Sequence, residues 1–223
     1  MRKTEWVPEP ALLVLIGVPS KVEEILKAYP EYRVLELGRA FGIVKIITPE
    51  GNDYEIATFR TDIGKGRRPD SVEFATIEKD VNRRDLTMNA LFYDISNKEI
   101  VDYVGGIQDI ENKVVKTVGN AKERFDEDRL RILRALRFAV TKGFLINYDI
   151  ISAMTQPEIL EKLEKVVSAE RIREEVFKMM KHDTIACLDL FREVENTLPG
   201  FTKLVFSRGL WLKPTFELWV KAW

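Results

Sequence analysis

Two short stretches combine charged side chains in patterns that suit nucleotide chemistry. The first is Arg83-Arg84-Asp85-Leu86-Thr87-Met88-Asn89-Ala90. On a helix, Arg84, Thr87 and Met88 fall within one turn, and Asp85 and Asn89 share a face. A guanidinium can fork onto a phosphate or a ribose hydroxyl. Asp85 can hold that arginine, and the Asn89 amide both donates and accepts. A solvated, salt-bridged helix face is built from the same residue types, so spacing by itself leaves both readings open.

The second stretch runs Glu127-Asp128-Arg129-Leu130-Arg131-Ile132-Leu133-Arg134-Ala135-Leu136-Arg137-Phe138. Asp128, Arg131, Arg134 and Arg137 recur every three residues and predict one slowly drifting helical stripe. Cytosine and adenine present an amino donor beside a ring-nitrogen acceptor on the Watson–Crick edge. Uracil and guanine present a carbonyl beside a ring N–H. A carboxylate accepts and a guanidinium donates. Asp128 beside Arg131 would therefore pair with C or A and repel U or G, at about 1–3 kcal/mol per mispaired contact. Protein side chains would take the place of a template strand. The bland alternative is an ion-paired helix face.

The elements that would carry these residues can be read along the chain. Leu12–Ile16 reads as a buried strand and Lys21–Ala28 as a short helix after Pro19-Ser20. Arg33–Leu37, Phe41–Thr48 and Tyr54–Arg60 read as strands, the last two joined through Pro49–Asp53. Thr61–Asp70 is basic and Gly-rich and reads as a loop. A helix is predicted over Ile77–Ala90. Short strands at Phe92–Ile95 and Glu99–Val101 flank a turn at Asn97, and Gly105-Gly106 marks another turn. Helices are predicted near 127–141, 148–154, 157–164, 168–181 and 183–195. Trp211, Phe216, Trp219 and Trp223 give an aromatic tail suited to packing. Strands first and helices after predict an α+β class, a head with a small mixed sheet followed by an all-α neck.

Composition bounds the function. With 223 residues, 45% hydrophobic and 32% charged, the chain can bury a core and is not of disordered type. Lys and Arg number 35 against 36 Asp and Glu, so an RNA partner must be met by local clustering rather than net charge. Cys187 and His182 are the single cysteine and histidine, which excludes an internal disulfide and Cys- or His-based metal clusters. Cys187 reads as a small buried apolar residue and His182 as a surface or helix-end residue. No apolar run reaches about 18 residues, so no membrane span is expected. The first residues do not read as a signal peptide, which makes cytoplasmic the expected location.

Taken together, the motifs resemble those of class II tRNA nucleotidyltransferases (CCA-adding enzymes) and bacterial poly(A) polymerases. The likeness runs from about Arg33 to Lys181. It rests on Arg83–Ala90, on Asp102-Tyr103-Val104-Gly105-Gly106-Ile107-Gln108-Asp109-Ile110 as a hinge-like motif, and on Glu127–Arg134. It rests further on Ala169-Glu170-Arg171-Ile172-Arg173-Glu174-Glu175 in the neck and on the strand Tyr54–Arg60. The resemblance implies a template-independent transferase in which the 3′ end of a tRNA attacks the α-phosphate of CTP or ATP and pyrophosphate leaves, with Mg²⁺ as cofactor. It implies that Arg84, Asp85, Asn89, Asp128, Arg131, Arg134 and Arg137 form the nucleotide site. Glu55 matches a metal-binding carboxylate of the family and is the expected catalytic and metal-ligating residue. The implied division is a head over 1–122, a base-reading neck over 123–181 and the start of a helical body over 182–223.

The sequence also departs from the family pattern. Family members carry a Gly-Gly…Arg-Asp turn that cradles the triphosphate, followed by an Asp-x-Asp metal pair. Aligning Ile16-Gly17-Val18-Pro19-Ser20 with the end of that strand puts the pair near Pro10 and Leu12. Glu5 and Glu9 are the acidic residues upstream, and no glycine precedes Gly17. Arg129 stands where proline is common. The expectation is a split or truncated enzyme, with a second polypeptide supplying the two motifs. A shortened enzyme using Glu55 with Glu5 or Glu9, and a catalytically inactive tRNA- or nucleotide-binding remnant, are the alternatives.

Overall fold

The computed structural model describes residues 13–14, 24–38, 42–64, 71–156 and 158–210. The chain forms two compact units, Met1–Arg83 and Arg84–Trp223. The class is α+β, as the order of sequence patterns predicts.

The first unit holds a four-stranded mixed sheet in the order β1-β4-β3-β2, from β1 (Leu13–Val14), β2 (Arg33–Gly38), β3 (Ile43–Ile47) and β4 (Asp53–Ala57). The pairs β2/β3 and β3/β4 are antiparallel, and β1 runs parallel to β4 with Leu13 and Val14 opposite Ile56 and Ala57. Alternation along β3 buries Val44 and Ile46, which join Ile56 in a small core covered by Leu26, Tyr32 and Val34. The β3–β4 turn is the predicted one. Gly51 sits there at φ +86°, where a side chain would be strained, and its amide donates to the Thr48 carbonyl.

Three expectations for this unit are corrected. The strand predicted over Tyr54–Arg60 stops at Ala57, and Arg60 opens a separate strand, β5 (Arg60–Ile63). Part of the predicted Thr61–Asp70 loop is therefore strand, because β5 pairs antiparallel with β6 (Ser71–Phe74). The remainder of that loop, 65–70, lies outside the described residues, as do Glu5, Glu9, Pro10, Leu12 and the aromatic tail from Trp211. The helix predicted over Ile77–Ala90 spans only α1 (Ile77–Asn82). It ends because the chain beyond it is recruited elsewhere. The Val118 amide donates to the Asp85 carbonyl and the Thr87 amide to the Lys116 carbonyl, making Leu86 an antiparallel bridge partner of Thr117.

In the second unit a 3₁₀ turn (Thr87–Asn89) is followed by the hairpin β7 (Phe92–Asp94) and β8 (Glu99–Val101). The Asp94 carboxylate accepts from the Ser96 and Asn97 amides and fixes the predicted turn. Where Gly105-Gly106 by itself predicts only a turn, the chain goes on into helix α2 (Gly106–Glu111). That helix leads into β9 (Val114–Val115), which pairs parallel with β10 (Leu145–Ile146). The helical run comprises α3 (Ala121–Glu127), α4 (Leu130–Lys142), α5 (Tyr148–Met154), α6 (Ile159–Val166), α7 (Ala169–His182), α8 (Thr184–Thr197) and α9 (Phe201–Leu204), continuing as a π-helical turn over Val205–Leu210. These elements share one core in which Leu86 and Val115 pack with Phe125, Leu133, Leu136, Ile172 and Phe191. Cys187 is fully buried in it, as expected, and burial pushes its thiol up to about 12.

Candidate nucleotide site

The two charged stretches meet in the second unit. Asp85 sits at a bend just before Leu86, the bridge partner of Thr117, rather than on a helix. Its Oδ1 accepts from the Leu86 amide at 2.9 Å and from the Asn89 amide nitrogen at 3.5 Å. Its Oδ2 accepts from Arg134 Nε at 2.5 Å, across 49 residues of sequence. Burial opposes ionisation of Asp85. The Arg134 charge and hydrogen bond, the Leu86 amide and Asn89 outweigh it and hold the carboxyl below the usual carboxylate range. Arg84 is fixed from two sides: Nη1 donates to the Asn89 carbonyl at 3.0 Å, and the guanidinium lies 4.5 Å from the centroid of the Phe92 ring.

Asp128 is not on the helical stripe the three-residue spacing predicts. Its backbone is extended, at φ −145° and ψ 109°, between α3 and α4. It caps α4 instead, with Oδ1 accepting from the Leu130 amide at 3.0 Å and its carbonyl from the Arg131 amide at 3.0 Å. Its carboxylate is gripped by Arg171 of α7, Nη2 to Oδ2 at 2.7 Å and Nη1 to Oδ1 at 3.3 Å. Arg131 donates to Glu127 Oε2 at 2.5 Å and to the Arg124 carbonyl at 3.4 Å. The Asp128 and Arg131 side chains retain 16% and 18% exposure, so both reach solvent at the start of α4.

Arg137 differs from the other arginines. It is 6% exposed, pairs through Nε with Glu175 Oε2 at 2.6 Å, and lies over the Phe138 ring. It ties α4 to α7 inside the core.

Glu55 lies in the other unit, exposed on β4 opposite Lys45 of β3. The Lys45 ammonium donates to Asp53 at 2.5 Å. Among the described residues no three His, Cys, Asp or Glu side chains cluster as metal ligands. The residues that pair with Ile56 and Ala57 from β1 are the apolar Leu13 and Val14. The described residues therefore do not by themselves make a magnesium site, because Glu55 belongs to no cluster of three such ligands.

Several contacts at the site carry no signal in the sequence. Arg171 and Glu175 belong to a recognisable neck motif, but nothing in their spacing reveals partners 43 and 38 residues away. Thr87 and Asp109 lie in separate motifs and meet only through folding, at 2.7 Å.

The site can thus offer a fixed carboxylate acceptor and a guanidinium donor at one helix start, with an anchored Arg84 on the turn that Arg134 braces. Known proteins share parts of this sequence and fold. Residues 12–116 match the family model of the Poly A polymerase head domain. The chain is 39% identical over 174 residues to a CCA-adding enzyme of Geobacillus kaustophilus (strain HTA426), covering 77% of this chain and 41% of that relative. It is 34% identical over 211 residues to a CCA-adding enzyme of Staphylococcus epidermidis (strain ATCC 12228 / FDA PCI 1200), covering 92% of this chain and 50% of that relative. The solved Bacillus stearothermophilus CCA-adding enzyme in complex with CTP superposes with a TM-score of 0.68 at 32% identity, over 84% of this chain and 44% of that one. Fold, motifs and relatives define a nucleotidyltransferase class. The chain belongs to the family of CCA-adding enzymes and poly(A) polymerases, and it spans between two fifths and half the length of these relatives.

Proposed function

We propose that the chain carries the nucleotide-selecting machinery of a template-independent RNA nucleotidyltransferase that adds C and/or A from CTP or ATP to the 3′ end of tRNA. In this reading Asp128 accepts from the amino group of cytosine or adenine and Arg131 donates to the adjacent ring nitrogen. Arg84 contacts the sugar or triphosphate with Asp85 and Asn89 holding its turn. Arg134 and Arg137 brace the helix that carries Arg131. The observation that carries the reading is the Asp128 carboxylate, oriented by Arg171 and the Leu130 amide yet still open to solvent.

The functional division into a head (1–122), a base-reading neck (123–181) and a body (182–223) follows from this reading. Catalysis would join the tRNA 3′-oxygen to the α-phosphate of the nucleotide and release pyrophosphate. Glu55 is the carboxylate we assign to Mg²⁺. Its companion ligands would come from outside the described residues, and a second polypeptide bearing Gly-Gly and Asp-x-Asp motifs is the partner proposed to supply them. The compartment proposed is the cytoplasm; among the described residues no helix is long and apolar enough to cross a membrane.

Binding of CTP, ATP, UTP and GTP to the full chain tests the proposal. CTP or ATP should bind at least about tenfold tighter than UTP and GTP, the scale of one mispaired contact. Asp128→Ala should abolish the preference. Equal binding of all four sinks the base-reading role. Binding of tRNA that is insensitive to Asp128→Ala, without nucleotide binding, marks a non-catalytic RNA binder instead.

A further inference from the structure

The Asp102–Ile110 motif makes none of the proposed nucleotide contacts, yet it lies directly against the turn that does. The Asp102 carboxylate accepts from the Val104, Gly105 and Ile107 amides at 3.0, 2.9 and 2.9 Å. This locks the chain around Gly105, at φ +78°, and starts α2. Gly106 then packs on the 3₁₀ turn so closely that a Cβ there would collide with the Thr87 carbonyl. Only glycine permits this approach.

A polar contact crosses the junction. Thr87 is 2% exposed, and its hydroxyl donates to Asp109 Oδ2 at 2.7 Å. Thr87 is held on its other side by the Lys116 carbonyl, which accepts from its amide at 2.9 Å. Arg84 and Asp85 precede the turn and bond to its Asn89, Arg84 donating to the Asn89 carbonyl and Asp85 accepting from the Asn89 side chain. The turn therefore hangs between Lys116, the residue after β9, and α2, with Thr87 as its attachment point.

We propose that Asp109 is a positioning residue for the nucleotide-contacting turn, acting through the Thr87 hydroxyl. The proposal rests on the nucleotide-binding reading above. Asp109 touches no nucleotide. It fixes the turn that places Arg84 and Asn89, so its effect falls on sugar and phosphate contacts, which every nucleotide shares, and not on base choice. A half-buried Asp109 can be solvated when its partner is removed, so the turn can loosen while the fold persists.

The test measures CTP and ATP affinity of the full chain, well below its melting temperature, for Asp109→Ala, Asp109→Asn, Thr87→Val and Thr87→Ser. Asp109→Ala and Thr87→Val should each weaken both nucleotides equally, by about tenfold, the scale of one lost charged hydrogen bond. The double variant should be no worse than either single one. Asp109→Asn and Thr87→Ser keep an acceptor and a donor and should stay within about twofold. Preference for CTP and ATP over UTP and GTP should be unchanged in all four. Wild-type affinity in Thr87→Val and Asp109→Ala, with Asp128→Ala still abolishing base preference, overturns the positioning role and leaves the function standing. Failure of the wild type to bind either nucleotide removes both.

Discussion

Arg171 grips Asp128 with both terminal nitrogens, at 2.7 and 3.3 Å, although 43 residues separate them. The fork fixes the plane of the carboxylate that the proposed base recognition uses, and only a guanidinium supplies that geometry.

Replacing Arg171 should therefore act on nucleotide choice. Arg171→Ala is expected to reduce discrimination between CTP or ATP and UTP or GTP, and to cost about 1–3 kcal/mol of stability by leaving the carboxylate without its partner. Arg171→Lys keeps the charge, loses the fork, and should restore stability more than selectivity. Nucleotide binding and denaturant unfolding on the same proteins separate the two effects. Unchanged selectivity in both variants argues against the orienting role.

The buried pair Arg137–Glu175 makes a different prediction, about stability alone. Removing one partner as Arg137→Met or Glu175→Met strands a charge in the core and should cost about 3–5 kcal/mol. The double replacement should cost clearly less than the sum, since two apolar side chains can fill the space. A double-mutant cycle by urea unfolding measures the coupling. Additive losses would mean that the ion pair does not link α4 to α7.

Acid should weaken the second unit through two carboxylates. In Asp85, burial opposes ionisation but Arg134 prevails. In Asp102, burial is likewise outweighed by the Ile107, Val104, Gly106 and Gly105 amides. Both are depressed in the folded state. Each thus contributes stability that is complete above its unfolded pKa, about 3.9, and lost as pH falls through the lower folded value. Unfolding free energy attributable to them should be flat between about pH 7 and 5 and decline below about pH 4. Asp102→Ala should flatten part of that decline. A slope identical to wild type between about pH 5 and 3 contradicts the assignment.

Much of this arrangement is legible in the sequence, for reasons that differ by element. Helix α5 falls at 148–154 as predicted, because Asn147 caps it and the apolar spacing is regular. The β7–β8 hairpin is equally local, set by Asp94 and its own turn. The helix predicted across Ile77–Ala90 fails where Asp85 to Thr87 pair with Lys116 to Val118, a long-range contact that outweighs helical periodicity. The Asp128 stripe fails for a complementary reason. A residue that caps a helix keeps the three-residue spacing without joining the helix, so the pattern looks continuous while the backbone turns away. Arg171 and Glu175 stand in a legible neck motif, but their pairing with Asp128 and Arg137 leaves no local signature.

The Arg134–Asp85 bond has one more consequence. It spans the turn proposed to meet the sugar and the helix proposed to meet the base, and so sets the gap between them like the jaws of a caliper. A purine and a pyrimidine differ in reach from the glycosidic bond. Under the proposed base reading, a gauge held by this ion pair would accept both through a tilt of the incoming nucleotide.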